Sequence, residues 1–292
     1  MRIKVSDFVR IRRELRDVRD LNKFELPRGV LHSILLQKRV ESVKRKYQVF
    51  ANRVDEIVEF WKRERKFPRW LTLPPVMKVR LLLKGLGFSA KEINRALNDP
   101  YSCELGEVVW KAVTRDYVYS PVAARLQAAR GRLGERLLEE FLESLGVYYR
   151  TERELRGEFS KTPDALFEEP VRINGVDVRW VESKALFGDP FVHEAYERRQ
   201  YSHYRRLFGE GIVIYWLGCV EGVDAITFSE TDVDASILLD MKLRVSIEEG
   251  GEPLKEALEV VERYAEGETE FACSGKAARI LKNMGFEVIF VD

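Results

Sequence analysis

The chain is poor in the residues that hold metals through sulfur or imidazole, with three cysteines and three histidines among 292 residues. Cys103, Cys219 and Cys273 lie far apart and show none of the Cys/His spacing that a zinc site needs, so no structural zinc is expected. Three scattered cysteines also give no disulfide framework. His32 and His203 have no chemical company and are read as structural or surface residues. No apolar run reaches the length of about 18 residues that a membrane helix requires, and no signal-peptide pattern is present. No membrane is therefore expected as a partner, and the expected location is intracellular, cytoplasmic in a prokaryote and with the nucleus open in a eukaryote. Gly-rich phosphate loops of the Walker or dinucleotide type are missing, as is a nucleophile elbow, which leaves P-loop nucleotide hydrolysis and hydride transfer unsupported.

Charge, by contrast, is abundant and unevenly spread. The formal net charge is only +1. Residues 1 to 130 nevertheless carry 29 Lys and Arg against 15 Asp and Glu, residues 131 to 222 carry 13 against 17, and residues 223 to 292 carry 7 against 16. A basic N-terminal part in a nearly neutral chain points to a polyanionic partner.

The chemistry concentrates between Ser160 and Lys184, SKTPDALFEEPVRINGVDVRWVESK. Asn174-Gly175 is the dipeptide of a type I′ turn, and Val171, Ile173, Val176, Val178, Trp180 and Val181 are strand formers around it, so a β-hairpin is predicted. Its arms carry Pro163-Asp164 and the triplet Glu182-Ser183-Lys184, with Glu182 and Lys184 on one face by strand parity. Phosphodiester hydrolysis needs a hard cation on the phosphate oxygens, an activated water and a counter-charge for the leaving oxygen. Asp164 and Glu182 are suited to hold Mg²⁺ or Mn²⁺, which usually takes one or two carboxylates, and Lys184 to orient or deprotonate the water. Uninterrupted pairing from Asn174-Gly175, however, sets residue 165 opposite Lys184 and turns Asp164 to the wrong face. A one-residue bulge at Glu168-Glu169-Pro170 is therefore expected, since Pro170 cannot donate to the ladder.

The flanking pattern is αβββαβ: a helix from Arg132 to Leu145 stopped by Gly146, a strand at Val147 to Thr151, the hairpin, a helix from His193 to Phe208, and a buried strand within Ile212 to Leu217. With KTPD at Lys161 to Asp164, WVESKALFGD at Trp180 to Asp189, the His193 to Tyr196 segment and GIVIYWLG at Gly211 to Gly218, the chain resembles the PD-(D/E)xK nuclease superfamily, and within it the TPD-motif family. The resemblance implies an α/β fold with a restriction-endonuclease-like core, metal binding by Asp164 and Glu182 with Glu135 completing the acidic cluster, and a catalytic Lys184. Gln200 and Tyr204 fit the Q-x-x-x-Y spacing of RecB-type members, one helical turn apart and facing the site. His193, near a helix start, has an equal claim to a site role and to a structural one. Glu139 is read as a solvent-facing carboxylate.

Three consecutive parts are expected: a basic helical domain over residues 1 to 128, the nuclease core over 129 to 222, and an acidic α/β extension over 223 to 292. In the first, Val30 to Phe50 and Arg53 to Phe67 read as helices, and Leu73 to Asn98 as two short helices around Leu86 to Ser89, the outline of a helix-turn-helix. The last reads as strands at Ala225 to Phe228, Leu243 to Ile247 and Glu287 to Val291, with helices at Pro253 to Ala265 and from Ser274 to Met284. It has three readings: an extension of the sheet, a homodimer surface, or a mask on the site. The expected partner is nucleic acid, DNA before RNA. The alternative is a structure-specific nucleic-acid-binding or scaffold protein whose nuclease activity is weak or depends on an unknown protein partner.

Overall fold

In a computed structural model of the chain, residues 1 to 291 are described. They form two compact units, each assembled from separate stretches of sequence. The first comprises Met1–Arg16, Asp20–Ile34 and Arg130–Met241; the second comprises Asp17–Arg19, Leu35–Ala129 and Lys242–Asp292. The grouping therefore differs from three consecutive parts, because a census along the chain registers charge and propensity but not which distant segment a strand or helix packs against.

The first unit is built on a five-stranded sheet. With strands numbered along the chain, β1 is Arg2–Ile3, β2 Arg150–Thr151, β3 Ala165–Ile173, β4 Val176–Lys184, β5 Gly211–Tyr215, β6 Cys219–Val220 and β7 Ile226–Thr227. The order across the sheet is β2-β3-β4-β5-β7, antiparallel through the β3/β4 hairpin and parallel from β4 through β5 to β7. β1 and β6 pair separately, in parallel. The hairpin turn has the expected form, since Asn174 and Gly175 both take positive φ, 49° and 84°, as a type I′ turn requires. β4 and β5 are largely apolar because both faces of this part of the sheet are covered; Val178, Trp180, Val181, Ile214 and Tyr215 are fully buried.

One expected helix is longer than the sequence suggested and another is broken. The first runs Pro121–Leu145 rather than from Arg132, starting at a proline behind Ser120, whose hydroxyl accepts from the Ala123 N–H at 3.1 Å. It ends where predicted, with Gly146 at φ 63°. The stretch after β4 is α-helical over Pro190–Tyr196, π-helical over Glu197–Tyr201 and α-helical again over Ser202–Phe208. Single-turn π segments inside helices gather at functional sites.

In the second unit Val54–Glu64, Pro75–Gly85 and Ala90–Asn98 follow the C-terminal part of Arg28–Ala51 close to where the sequence pattern predicts helices, and Gly106–Val113 is a helix beyond those predicted. Val43, Phe50, Ile57, Leu71, Leu73 and Leu81 make one buried cluster, and Val58, Trp61 and Leu82 another. Ser89 caps Ala90–Asn98 in a reciprocal capping box with Glu92. The C-terminal strands β8 Lys242–Ile247, β9 Glu270–Cys273 and β10 Glu287–Phe290 form a parallel sheet in the order β10-β8-β9. β9 is an element the sequence reading did not contain, because four residues alternating around Phe271 carry little local signal.

Candidate functional site

The irregularity in the hairpin sits where strand parity demanded it but is larger than one residue. Leu166 pairs with Trp180 and Val171 with Val178, so four residues of β3, 167 to 170, face the single Arg179 of β4, an excess of three. Three is odd, as one is, and an odd excess reverses the face of everything before it. Asp164, one residue before β3, is thereby brought across from Glu182, and its Oδ2 accepts from the Ser183 backbone N–H at 2.7 Å. Pro170 and its neighbours Glu168 and Glu169 are exposed, and the Glu168 carbonyl accepts from Arg179 Nη1 at 2.7 Å.

Glu182 is 3% exposed and Lys184 Nζ is bonded to its Oε1. The second oxygen, Oε2, is buried without a hydrogen-bond partner, an arrangement that costs free energy unless something fills it. Burial first, and then the Asp164 charge, pushes the Glu182 carboxyl up from 4.5 to about 7. Burial likewise raises Asp164, against the pull of Lys184 and the Ser183 N–H. For Lys184, burial alone lowers its pKa, but Glu182 and Asp164 outweigh it and hold the amine above its ordinary value, so it is a cation at neutral pH. Its ammonium also lies 5.0 Å from the centroid of the Tyr196 ring.

Glu135 stands one residue after Gly134 on helix Pro121–Leu145. A Cβ on Gly134 would come within 2.9 Å of the Ala185 Cβ, and its carbonyl accepts from the Ser183 hydroxyl at 3.0 Å, so the helix lies hard against β4 there. Burial raises the Glu135 carboxyl, and Asp164, Glu139 and Glu152 add to the rise. Asp164 thus lies within electrostatic range of Glu135. Among the described residues, no three His, Cys, Asp or Glu side chains form a preassembled metal-binding group. The donors that come together are the buried Glu182 carboxylate, with one orphaned oxygen, and the half-buried Asp164 carboxylate, which fit a hard, oxygen-seeking cation such as Mg²⁺.

Gln200 and Tyr204 do not sit one α-helical turn apart, since the π segment ends between them. Both nonetheless line one cleft of about 450 Å³, together with Glu152, Ser160, Lys161, Thr162, Tyr196 and Arg199. Tyr204 is buried with its hydroxyl donating to the Thr162 carbonyl at 2.8 Å, which ties the helix to the segment that delivers Asp164. The Gln200 Oε1 is buried and without a partner. His193 Nδ1 is 3.0 Å from the Tyr215 hydroxyl, and burial lowers its pKa. The ring also packs against Tyr201 and Tyr215, with centroids 5.6 and 5.9 Å away.

Several residues here carried no expected role from the sequence: Glu152, Arg199 and Tyr201, together with Lys161 and Tyr196, which marked only the ends of family-like segments. Tyr196 and Tyr201 carried the available signal, two aromatic residues five apart on a stretch that the sequence read as regular helix. Asp189 is also new. It caps Pro190–Tyr196, accepts from the Phe191 N–H at 2.8 Å and is paired with Arg12.

Residues 102–237 match the family described as "Protein of unknown function TPD sequence-motif", and its three letters stand here as Thr162, Pro163 and Asp164. This segment is similar to the TPD-motif family. Among curated relatives, the CDAN1-interacting nuclease 1 of Bos taurus is 35% identical over 140 residues, 47% of this chain and 50% of that protein. That of Homo sapiens is 35% identical over 136 residues, 45% and 48%. The Danio rerio protein is 31% identical over 163 residues, 52% and 54%. The chain thus spans about half the length of the curated relatives it matches. No solved structure matches it. The TPD-motif match covers the hairpin, Gln200, Tyr204 and the sheet through β7, and excludes β8 to β10 and most of the basic helices. Among the described residues no helix is long and apolar enough to cross a membrane.

Proposed function

We propose that this chain is a metal-dependent nuclease of the PD-(D/E)xK type, hydrolysing phosphodiester bonds of DNA, including structured or branched DNA, with a restriction-endonuclease-like core. The observation that carries the reading is the meeting of Asp164 and Glu182 across an irregular strand pair, with Lys184 on Glu182 and one carboxylate oxygen orphaned. The relatives that match the chain are named nucleases, which supports the same class.

Asp164 and Glu182, with Glu135 alongside, would hold Mg²⁺ or Mn²⁺. When bound, the metal supplies a Lewis acid for the phosphate oxygens and their developing charge. Asp164 is fixed by the Ser183 N–H, so its carboxylate is oriented before substrate arrives. Lys184, kept protonated by its two acidic neighbours, donates hydrogen bonds: it orients the attacking water or meets the charge on the leaving oxygen rather than removing a proton. Gln200 borders the cleft beside these groups, and Tyr204 holds Thr162 and with it the approach of Asp164.

The basic helices between residues 35 and 129, with 19 Lys and Arg against 10 Asp and Glu, would engage phosphates, and helices Pro75–Gly85 and Ala90–Asn98 around Gly87 would serve as a helix-turn-helix. The matching relatives are named as interacting with CDAN1, which supports a protein partner for this chain too. The test is cleavage of labelled single-stranded, duplex, flap and four-way-junction DNA and matching RNA, with Mg²⁺, Mn²⁺ or EDTA. Metal-dependent cutting that disappears in Lys184→Ala and Asp164→Asn supports the reading. Cutting that survives Glu182→Gln overturns the mechanism.

A further inference from the structure

Three rings rise in a pile from the sheet beside Lys184. Trp180 on β4 stacks on Tyr201, with centroids 6.2 Å apart and planes at 28°, and Tyr201 stacks on Tyr196 at 5.9 Å and 24°. Trp180 and Tyr201 are fully buried, whereas Tyr196 is only partly covered and lines the cleft. The pile thus ends on the one ring that a ligand can reach. The π turn at Glu197–Tyr201 makes this possible, because its five-residue repeat brings Tyr201 beneath Tyr196. Trp180 is anchored by its Nε1, which donates to the Gly209 carbonyl at 2.9 Å, so the base of the pile does not swing.

The rest of the cleft has the polarity of a nucleotide site. The Gln200 Oε1 is a buried acceptor with no donor in the protein. Lys161 spends its ammonium on the Arg199 carbonyl and so braces the wall, while the Arg199 side chain is exposed at the rim and has no ion-pair partner among the described residues. Ser160, which lines the cleft, has its Oγ 3.3 Å from His203 Nε2. A volume of about 450 Å³ lies within the range of small-ligand pockets and is far too small for a duplex.

We propose that this cleft holds one unpaired nucleotide next to the scissile phosphate. Its base would continue the Trp180–Tyr201–Tyr196 pile, an exocyclic amino group would donate to Gln200 Oε1, and Arg199 would meet its phosphate. The inference rests on the nuclease reading and deepens it. The substrate class is nucleic acid that is single-stranded at the cut, and a base-paired nucleotide must leave its stack to be cut.

The experiment uses the full chain bearing Asp164→Asn, to prevent cutting, and oligonucleotides of DNA and of RNA carrying 2-aminopurine at successive positions, single-stranded and fully duplex, with Mg²⁺. The expected result is a change of emission confined to one or two adjacent positions of the single strand and absent in the duplex. Adding Tyr196→Leu should abolish it and weaken single-strand binding by roughly 5- to 150-fold, the span of one base stacked on an aromatic ring, while Tyr196→Phe should preserve both. Far-ultraviolet circular dichroism and the unchanged salt slope of residual binding establish that Tyr196→Leu is folded. In parallel, the otherwise unaltered chain and its Tyr196→Leu variant are assayed for cleavage. A duplex cut as fast as a single strand, or an emission change indifferent to Tyr196→Leu, overturns the cleft assignment and leaves the nuclease standing. A Tyr196-dependent emission change without cutting of any substrate overturns the hydrolysis and leaves the cleft.

Discussion

Glu182 is the residue whose environment makes the sharpest demand. Its carboxyl, raised to about 7, keeps a proton that the unfolded chain would release near its ordinary value of 4.5. A raised folded-state pKa contributes stability that is complete below the unfolded value and is lost as pH climbs through the folded one. The metal-free protein should therefore lose stability between about pH 5 and pH 7.5, at up to roughly 1.4 kcal/mol per pH unit for one proton. Added Mg²⁺ or Mn²⁺ must displace that proton, so it should raise the melting temperature more at pH 8 than at pH 5.5. Thermal melts of the metal-free and metal-loaded protein across this range measure it, and a flat profile would refute the coupled carboxylate pair. Glu182→Gln should remove most of this dependence. It should also cut hydrolysis by a factor of at least about a hundred, the scale of one lost charge-stabilising group, read as single-turnover rates.

The hairpin, as an element, makes a less obvious prediction. The four residues 167 to 170 stand opposite Arg179 alone, yet the pairs on either side, Leu166 with Trp180 and Val171 with Val178, are regular. Deleting Glu168, Glu169 and Pro170 leaves Phe167 to face Arg179 and retains Asp164 across from Glu182. The shortened protein should fold and keep metal-dependent cutting within several-fold, by the same single-turnover assay. If it folds but is inactive, the loop itself contributes to the site. A further element-scale test is Gly211 at the start of β5, where a Cβ would overlap the Trp180 indole. Gly211→Ala should cost about 1 to 3 kcal/mol by overpacking, visible as a lower denaturant midpoint. It also disturbs the foot of the aromatic pile, so single-strand binding should fall with it.

At the scale of the whole molecule, the near-neutral net charge hides a basic stretch that the phosphate-binding proposal uses. Each Lys or Arg that releases a counterion from duplex DNA contributes close to 0.9 to the slope of log affinity against log salt. Lys44 and Lys46 are exposed on helix Arg28–Ala51. Replacing both by Glu should flatten the slope by about two and weaken binding most at low salt, while cutting of a short strand at saturating concentration should change little. Binding titrations at several salt concentrations decide it, and an unaltered slope would remove these helices from the interface.

What the sequence determined by itself was local. Asn174-Gly175 imposed the turn, Ser89 with Glu92 and Ser274 set helix starts, and strand parity put Glu182 and Lys184 on one face. Even the need for an irregularity before Pro170 was legible, because parity is arithmetic on a two-residue period. Its size was not, since three extra residues and one produce the same reversal. Only the tertiary structure decided that Tyr204 ties down Thr162, that Tyr201 completes a pile ending in Tyr196, that β9 joins β8, and that residues 1–16 and 20–34 group with 130–241. The shifted carboxyl groups belong there too, because their leading cause is burial. Burial is set by segments distant in sequence, and a pattern read over a few residues carries no record of them.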